Sequence, residues 1–226
     1  NNDWVDIQFG NVRRNHENIS VKGGGKDAAY FISAGHAYEK GILKMAEDNY
    51  NRINLNSKID LNLNSWWKLT SNTRITEENR INPVYNGEGN YAMVIHHILR
   101  THPNQYLKSP NGQYSALSRV PLMRTGNEKT TKREVLQRLA TEITPLKGWS
   151  INADYSVSLP FKQFVGENLT AYEDQVDGTL TPIASTVPSY ITKSKSNTTY
   201  KSLNVFSSYK FDVAERHHFA FLGGYQ

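Results

Sequence analysis

The sequence of 226 residues contains no cysteine, little net charge and no long apolar run. The absence of cysteine excludes a disulfide framework, a thiolate metal site and a cysteine nucleophile. Because no stretch approaches 18 consecutive apolar residues, the sequence also predicts no transmembrane helix. The 26 lysines and arginines and the 21 aspartates and glutamates leave a net charge of +5. This charge is spread along the chain, so it gives no indication of a nucleic-acid partner.

Alternation of apolar and polar residues with a period of two is the main pattern in the sequence. In residues 53–64, five of the six odd positions are apolar and all six even positions are polar. Residues 149–159 repeat this alternation. It is typical of a β-strand with one apolar face and one face in water. The low mean hydropathy of −0.62 is compatible with a transmembrane β-barrel, whose strands alternate in this way.

Weaker alternation elsewhere brings the prediction to eight strands. Residues 131–144 also fit a helical period, but the turn at Pro145–Gly148 folds them back onto the next strand, which favours a strand. The predicted strands are 17–24, 28–38, 53–64, 67–76, 131–144, 149–160, 199–211 and 216–226.

The connections between these strands alternate in length. Short turns are predicted at 25–27, 64–66, 146–148 and 212–215, and long connections at 39–49, 78–130 and 161–198. Strands of about 10–12 residues are close to the ~9–11 that cross a bilayer. The sequence therefore predicts an all-β fold: an antiparallel transmembrane β-barrel segment of about eight strands, with short periplasmic turns and long extracellular loops. A soluble β-barrel or sandwich with an apolar interior is the alternative.

The alternation also predicts which way individual side chains point. In a membrane barrel the apolar set faces lipid: Leu55, Ile59, Leu61, Ile151, Tyr155 and Val157. The polar set then faces the lumen: Asn54, Lys58, Asp60, Asn152 and Asp154. Polar side chains of this kind hydrogen-bond weakly to polar solutes, and aromatic rings offer faces for sugars.

The connection 78–130 is the longest, and its apolar content predicts a packed structure rather than disorder. A short helix is predicted over 91–100, with Asn90 at its N-cap and His102–Pro103 at its end. Four tyrosines of this loop are predicted to face substrate or a lid: Tyr85, Tyr91, Tyr106 and Tyr114. The alternative is a loop that packs only on its neighbours and stabilises the rim.

No constellation in the sequence indicates catalysis. Glu77 and Glu78 are adjacent, so on a strand they point to opposite faces, and His96–His97 has no spaced carboxylate. No Gly-x-Ser-x-Gly elbow is present. We therefore predict that the chain is not an enzyme, with no catalytic residue, no cofactor and no metal.

Several short motifs resemble one family of outer-membrane proteins. Asn15-His16, Ile19-Ser20-Val21 and Gly23-Gly24 are followed by Tyr30, Gly35, Glu39 and Gly41-Ile42-Leu43. Together these resemble the opening barrel hairpin of the SusC/RagA family of TonB-dependent transporters of Bacteroidetes. The segment 50–56 resembles the next strand of that family, and 218–225 a later strand that ends in Gly-Tyr. The resemblance covers about residues 1–80 and 198–226.

The resemblance implies a barrel of 22 strands closed by an N-terminal plug. Residues 1–226 would be part of that barrel, about its first third, without the plug domain and the later strands. It further implies nutrient uptake across the cell outer membrane: TonB-energised import of an oligosaccharide or peptide, with a SusD-like surface lipoprotein as lid. The implied partners are this lipoprotein, TonB through the plug, outer-membrane lipid and the glycan or peptide substrate, with no nucleic acid. An adhesin or structural outer-membrane barrel remains an alternative, as does a soluble binding module.

Overall fold

The computed structural model describes residues 1–84, 91–175, 177–214 and 216–226. Most of them form long antiparallel strands, and three α-helices lie near one end of the sheet. The helices are α1 (Trp4–Gln8), α2 (Tyr91–Leu99) and α3 (Val120–Met123). The strands are β1 (Arg13–Gly24), β2 (Ala28–Lys40), β3 (Asn49–Asn64), β4 (Trp67–Pro83), β5 (Asn127–Leu146), β6 (Trp149–Asn168), β7 (Tyr172–Asp174), β8 (Leu180–Pro182), β9 (Tyr190–Asn197), β10 (Tyr200–Val213) and β11 (His217–Tyr225).

The main sheet follows the order of the chain, β1-β2-β3-β4-β5-β6-β10-β11, and every neighbouring pair is antiparallel. β9 pairs with the far half of β6, where Phe161 lies opposite Asn197. β10 pairs with the near half, where Ser158 lies opposite Tyr200. β9 and β10 therefore follow one path with a break at residues 198–199. The eight predicted strands are confirmed, and the seventh is longer than expected because β9 precedes it.

The turns and loops are arranged as the sequence predicts. The links between β1 and β2, β3 and β4, β5 and β6, and β10 and β11 are all short, and they share one end of the sheet. At the other end, however, β4 reaches Pro83, β5 begins at Asn127 and β6 reaches Asn168. The expected loop 161–198 is therefore wrong over much of its length, because β6 continues and β9 pairs with it. These strand ends carry polar residues on both faces, so the alternation that predicts a strand is lost there.

The buried apolar cluster lies beside the sheet, at the end where the long connections are. It brings together α1, α2, α3, the link between β2 and β3, and the connection after β6. Its buried members are Trp4, Leu43, Val94, Ile98, Val120, Leu122, Met123 and Ala171. We call this structure, formed by α1, residues 41–48 and 91–126, Ala171 and Ile183, the loop cap. The expectation of a packed loop is confirmed, and the core of the described residues lies there.

Helix α2 shows why the cap forms. It starts at Tyr91, as predicted, while its expected N-cap Asn90 lies outside the described residues. Val94 and Ile98 are four positions apart, so they share one helical face, and both are fully buried. The indole Nε1 of Trp4 donates a hydrogen bond to the carbonyl of His102 (2.9 Å), which ties α1 to the end of α2. In the part of the chain described, no helix is long and apolar enough to cross a membrane.

Candidate functional site: a polar wall and two recesses

One face of the sheet carries hydrogen-bonded polar side chains, and we call it the wet face. Asp60 accepts a hydrogen bond from the Thr70 hydroxyl (2.6 Å), and its carboxylate lies 3.2 Å from the Lys58 ammonium and 3.7 Å from that of Lys68. Asn54 accepts hydrogen bonds from Arg52 (2.8 Å) and from the Thr76 hydroxyl (3.4 Å) further along the same face. The three predicted positions on β3 therefore lie on one polar surface.

The predicted positions on β6 continue this surface. Asp154 accepts hydrogen bonds from Arg138 Nε (3.2 Å) and Asn204 Nδ2 (3.2 Å), on the strands that flank it. The register runs from Asp60 through Thr70 and Ala140 to Asp154, so the two aspartates share a face. Asn152 lies on the same face, beside a small cavity of 140 Å³. Most charges in this region have a partner, so the wet face offers hydrogen bonds with little net charge.

The opposite face of the same strands is apolar, as predicted. Leu55 is in register with Ile75, Val135 and Leu159, and Ile59 shares its face with Tyr155. Leu55 is 42% exposed and Ile59 is 39% exposed, so the sheet leaves this face uncovered. An apolar surface of this extent needs a lipid or protein neighbour. That the neighbour is lipid, and that the wet face lines a lumen, both stay predictions.

A recess opens on the wet face where the β9–β10 path is interrupted, and we call it the junction recess. Its volume is about 320 Å³, and its lining includes Glu78, Lys132, Glu134, Pro160, Lys162 and Tyr200. Pro160 lies next to the break, and its carbonyl accepts a hydrogen bond from the Thr198 amide (3.1 Å). Because proline has no N–H, the sheet is interrupted there.

A second recess, the rim groove, lies between the loop cap and the β7–β8 hairpin. It has a volume of about 570 Å³ and is lined by Tyr106, Lys108, Asn111, Asp174 and Gln175 among others. The Oδ2 atom of Asp174 is buried and has no hydrogen-bond partner among the described residues. Tyr106 is 53% exposed, so its ring is available at the groove.

The four predicted tyrosines separate into three groups. Tyr85 lies outside the described residues. Tyr91 and Tyr114 pack against the buried cluster of the cap. The Tyr91 hydroxyl donates to Asp48 (2.5 Å), and burial, followed by this carboxylate, raises the pKa of Tyr91. Tyr114 lies beneath Arg124 (4.8 Å) and Lys108 (5.1 Å), so cations cover its ring. Tyr106 lines the rim groove.

Sequence reasoning missed both recesses. Lys132, Lys162 and Tyr200 lie where the alternation is weak or interrupted, and Asp174 belongs to a hairpin of two three-residue strands. One signal could have identified the junction recess: once the register of β5 and β6 is known, Lys132 and Lys162 lie opposite each other.

Comparison with known proteins agrees with this architecture. No protein-family model matches the chain. A curated relative, the TonB-dependent receptor P39 of Formosa agariphila, is 33% identical over 101 residues, which are 45% of this chain and 9% of that protein. The solved RagAB peptide importer in its closed-closed state matches 98% of this chain with a TM-score of 0.72 and 20% identity. Its open-open state gives a TM-score of 0.74 and 18% identity.

The chain spans about a quarter of those solved chains and a smaller share of the curated relative. With its antiparallel strands in chain order, its two unlike faces and its turns at one end, it has the fold of a β-barrel wall segment, similar to part of those solved chains. In this fold, and over the 101 residues aligned with the curated receptor, the chain is SusC/RagA-like, so the resemblance in the sequence motifs is confirmed. The matched proteins are named as a receptor and as importers.

Proposed function

We propose that this chain is part of a transporter that imports nutrients across the outer membrane. The observation that carries the proposal is the wet face, where polar side chains from β3, β4, β5, β6 and β10 form one continuous surface. A solute that passes along such a wall exchanges hydrogen bonds with water for similar ones with the wall, so it is held weakly and released again. The apolar face on the other side suits contact with lipid.

The cargo is an oligosaccharide or a peptide, and the structural likeness to RagAB peptide importers favours a peptide. In the whole protein, a plug domain before residue 1 would contact TonB, and a SusD-like lipoprotein would cover the end that carries the loop cap. The chain itself performs no catalysis in this proposal. A barrel that acts only as an adhesin or as a structural protein is the second candidate. The observation that favours it is the loop cap, which offers a surface for contact at one end of the sheet.

Uptake by cells that express the complete protein tests the proposal. We expect labelled oligopeptides to accumulate in the periplasm in a TonB-dependent way, and the accumulation to fall when residues 91–120 are deleted. Insertion in the membrane should persist, because the strands remain. Accumulation that is identical with and without the protein would contradict import and favour the adhesin or structural barrel.

A further inference from the structure

Two lysines on the wet face lie directly opposite each other. Lys132 on β5 and Lys162 on β6 are register partners, and Lys132 is also in register with Glu78 on β4. Opposed residues of antiparallel strands have Cα atoms only ~4.5–5.5 Å apart. Both lysines share their face with Glu134 and Ser158, which belong to the wet face through the alternation of each strand. Two like charges in this position repel each other.

The anionic side chains next to these lysines are engaged elsewhere. The Glu78 carboxylate lies 3.7 Å from Arg52 Nε. Glu134 accepts a hydrogen bond from the Ser158 hydroxyl (2.8 Å). Among the described residues, neither Lys132 nor Lys162 has an ion pair within 4.0 Å, and both are exposed. The serine hydroxyl leaves the charge of Glu134 in place and Arg52 balances Glu78, so two lysines against one free carboxylate leave a surplus of positive charge at this point.

The lysines also border the junction recess, which has room for a ligand group. Its volume of about 320 Å³ is at the lower end of the range for small-molecule sites, ~300–1,000 Å³, and is enough for one or two residues of a peptide. Pro160 and the ring of Tyr200 give it an apolar lining, and Tyr200 is 63% exposed. The lining combines an exposed ring with two lysines that have no ion pair, beside Glu78 and Glu134, and its surplus of positive charge suits an organic anion at the lysines.

We propose that the junction recess is a binding site for a carboxylate of the cargo, held between Lys132 and Lys162. Each ammonium donates hydrogen bonds to one carboxylate oxygen, and the remainder of the ligand packs against Pro160 and Tyr200. A bound carboxylate offsets the repulsion between the lysines, because its negative charge accepts charge-assisted hydrogen bonds from both ammonium groups. This site rests on the proposed function for its access from the lumen, and it makes the importer selective for acidic peptides.

Direct binding to the purified full-length protein tests the site separately from import. The probe is a fluorescent tetrapeptide, Asp-Ala-Ala-Asp, and its neutral counterpart is Asn-Ala-Ala-Asn with an amidated C-terminus. The test variant is K132Q/K162Q. The matched control is K129Q/K193Q, which removes two lysines, on β5 and β9, that flank Val165 of β6 on the opposite face of the sheet. Heat-modified migration on gels verifies that each variant is folded.

We expect K132Q/K162Q to weaken binding of the acidic probe about tenfold or more, while the control variant changes it less than about twofold. Binding of the neutral probe should be the same in all three proteins. Equal weakening in both variants would show only general attraction to a basic surface and would overturn the proposal, and so would unchanged binding in K132Q/K162Q.

Two further outcomes separate the source of the carboxylate and the role of the site. Lysine-dependent binding of trigalacturonate, without binding of the tetrapeptide, would support a carboxylate site and overturn its assignment to peptides. Lysine-dependent binding of the acidic probe by a protein that imports neither peptide into cells would support the site and overturn the proposed import function.

Discussion

The loop cap should open independently of the sheet when its core is damaged. Ile98 is fully buried in α2, and Ile98→Ala leaves a cavity in the buried cluster of the loop cap. Large-to-small changes of this kind cost ~2–5 kcal/mol. A loss of about 3 kcal/mol raises the population of the open cap roughly 150-fold.

Hydrogen exchange followed by mass spectrometry on the complete protein in detergent measures this opening. We expect faster exchange in peptides from α1, α2 and α3, and unchanged exchange in β3, β4 and β5, which the sheet protects. The matched control is Leu99→Ala, because Leu99 is the next residue of the same helix and is 59% exposed. Its exchange should stay close to that of the unmodified protein. Similar exchange in the two variants would refute a cap core centred on α2, and loss of protection in the strands would refute its independence.

Three other substitutions test separate parts of the structure. Gly126 has φ +144°, and a Cβ there would lie 1.9 Å from the Glu167 carbonyl oxygen, so Gly126→Ala should lower the free energy of unfolding by about 2–4 kcal/mol in urea titrations. The control Gly112→Ala has φ +89° and open space around it, so it should lower the same quantity by only about 1 kcal/mol. Because the folded-state pKa of Tyr91 is raised above 10.0, the contribution of its hydroxyl to cap stability is present below pH 10 and is lost as the pH rises beyond it. Tyr91→Phe should flatten this pH dependence. Equal pH dependence of cap exchange between pH 9 and 11 in both proteins would contradict a stabilising role of the hydroxyl. Asp154→Ala removes an ion pair with the half-exposed Arg138, in which the Asp154 side chain is only 12% exposed, and one amide contact, so the free energy of unfolding should fall by about 1–2 kcal/mol. A loss above about 3 kcal/mol would show that the wet face stabilises the sheet much more than its geometry indicates.

The strands that the sequence predicts are those whose two faces meet different surroundings. In β3 and in residues 149–159 of β6, apolar and polar residues alternate, so the presence of these strands and the face of each side chain follow from the sequence alone. Beyond the row of Ile75 and Val135, both faces carry polar side chains such as Glu77 and Arg133, and the pattern that reveals a strand is absent. The strands continue there because their backbones pair with neighbouring strands that are distant in the sequence, and this pairing leaves no local pattern.

The candidate sites divide in the same way. The polar positions Asn54, Asp60 and Asp154 could be predicted because the strand period alone determines their face. The sequence predicts Tyr91 and Tyr114 at a surface, but their hydroxyls hydrogen-bond to Asp48 and Met45, which precede them by 43 and 69 residues. Contacts at this distance in the sequence cannot be predicted from local pattern. The junction recess depends on the break between β9 and β10, which no local pattern marks.

The extension of β4, β5 and β6 past the apolar band has a geometric consequence. β5 continues from Glu134 to Asn127, eight residues beyond Val135, whose row is the last in which the paired residues of β3, β4, β5 and β6 are all apolar. At ~3.3 Å per residue and a tilt of about 40°, this raises the base of the loop cap about 20 Å above that row. In the proposed membrane orientation, the rim groove then lies beyond the bilayer headgroups, in open water. A large soluble or lipid-anchored protein could approach it from the side as well as from above, without touching the membrane surface.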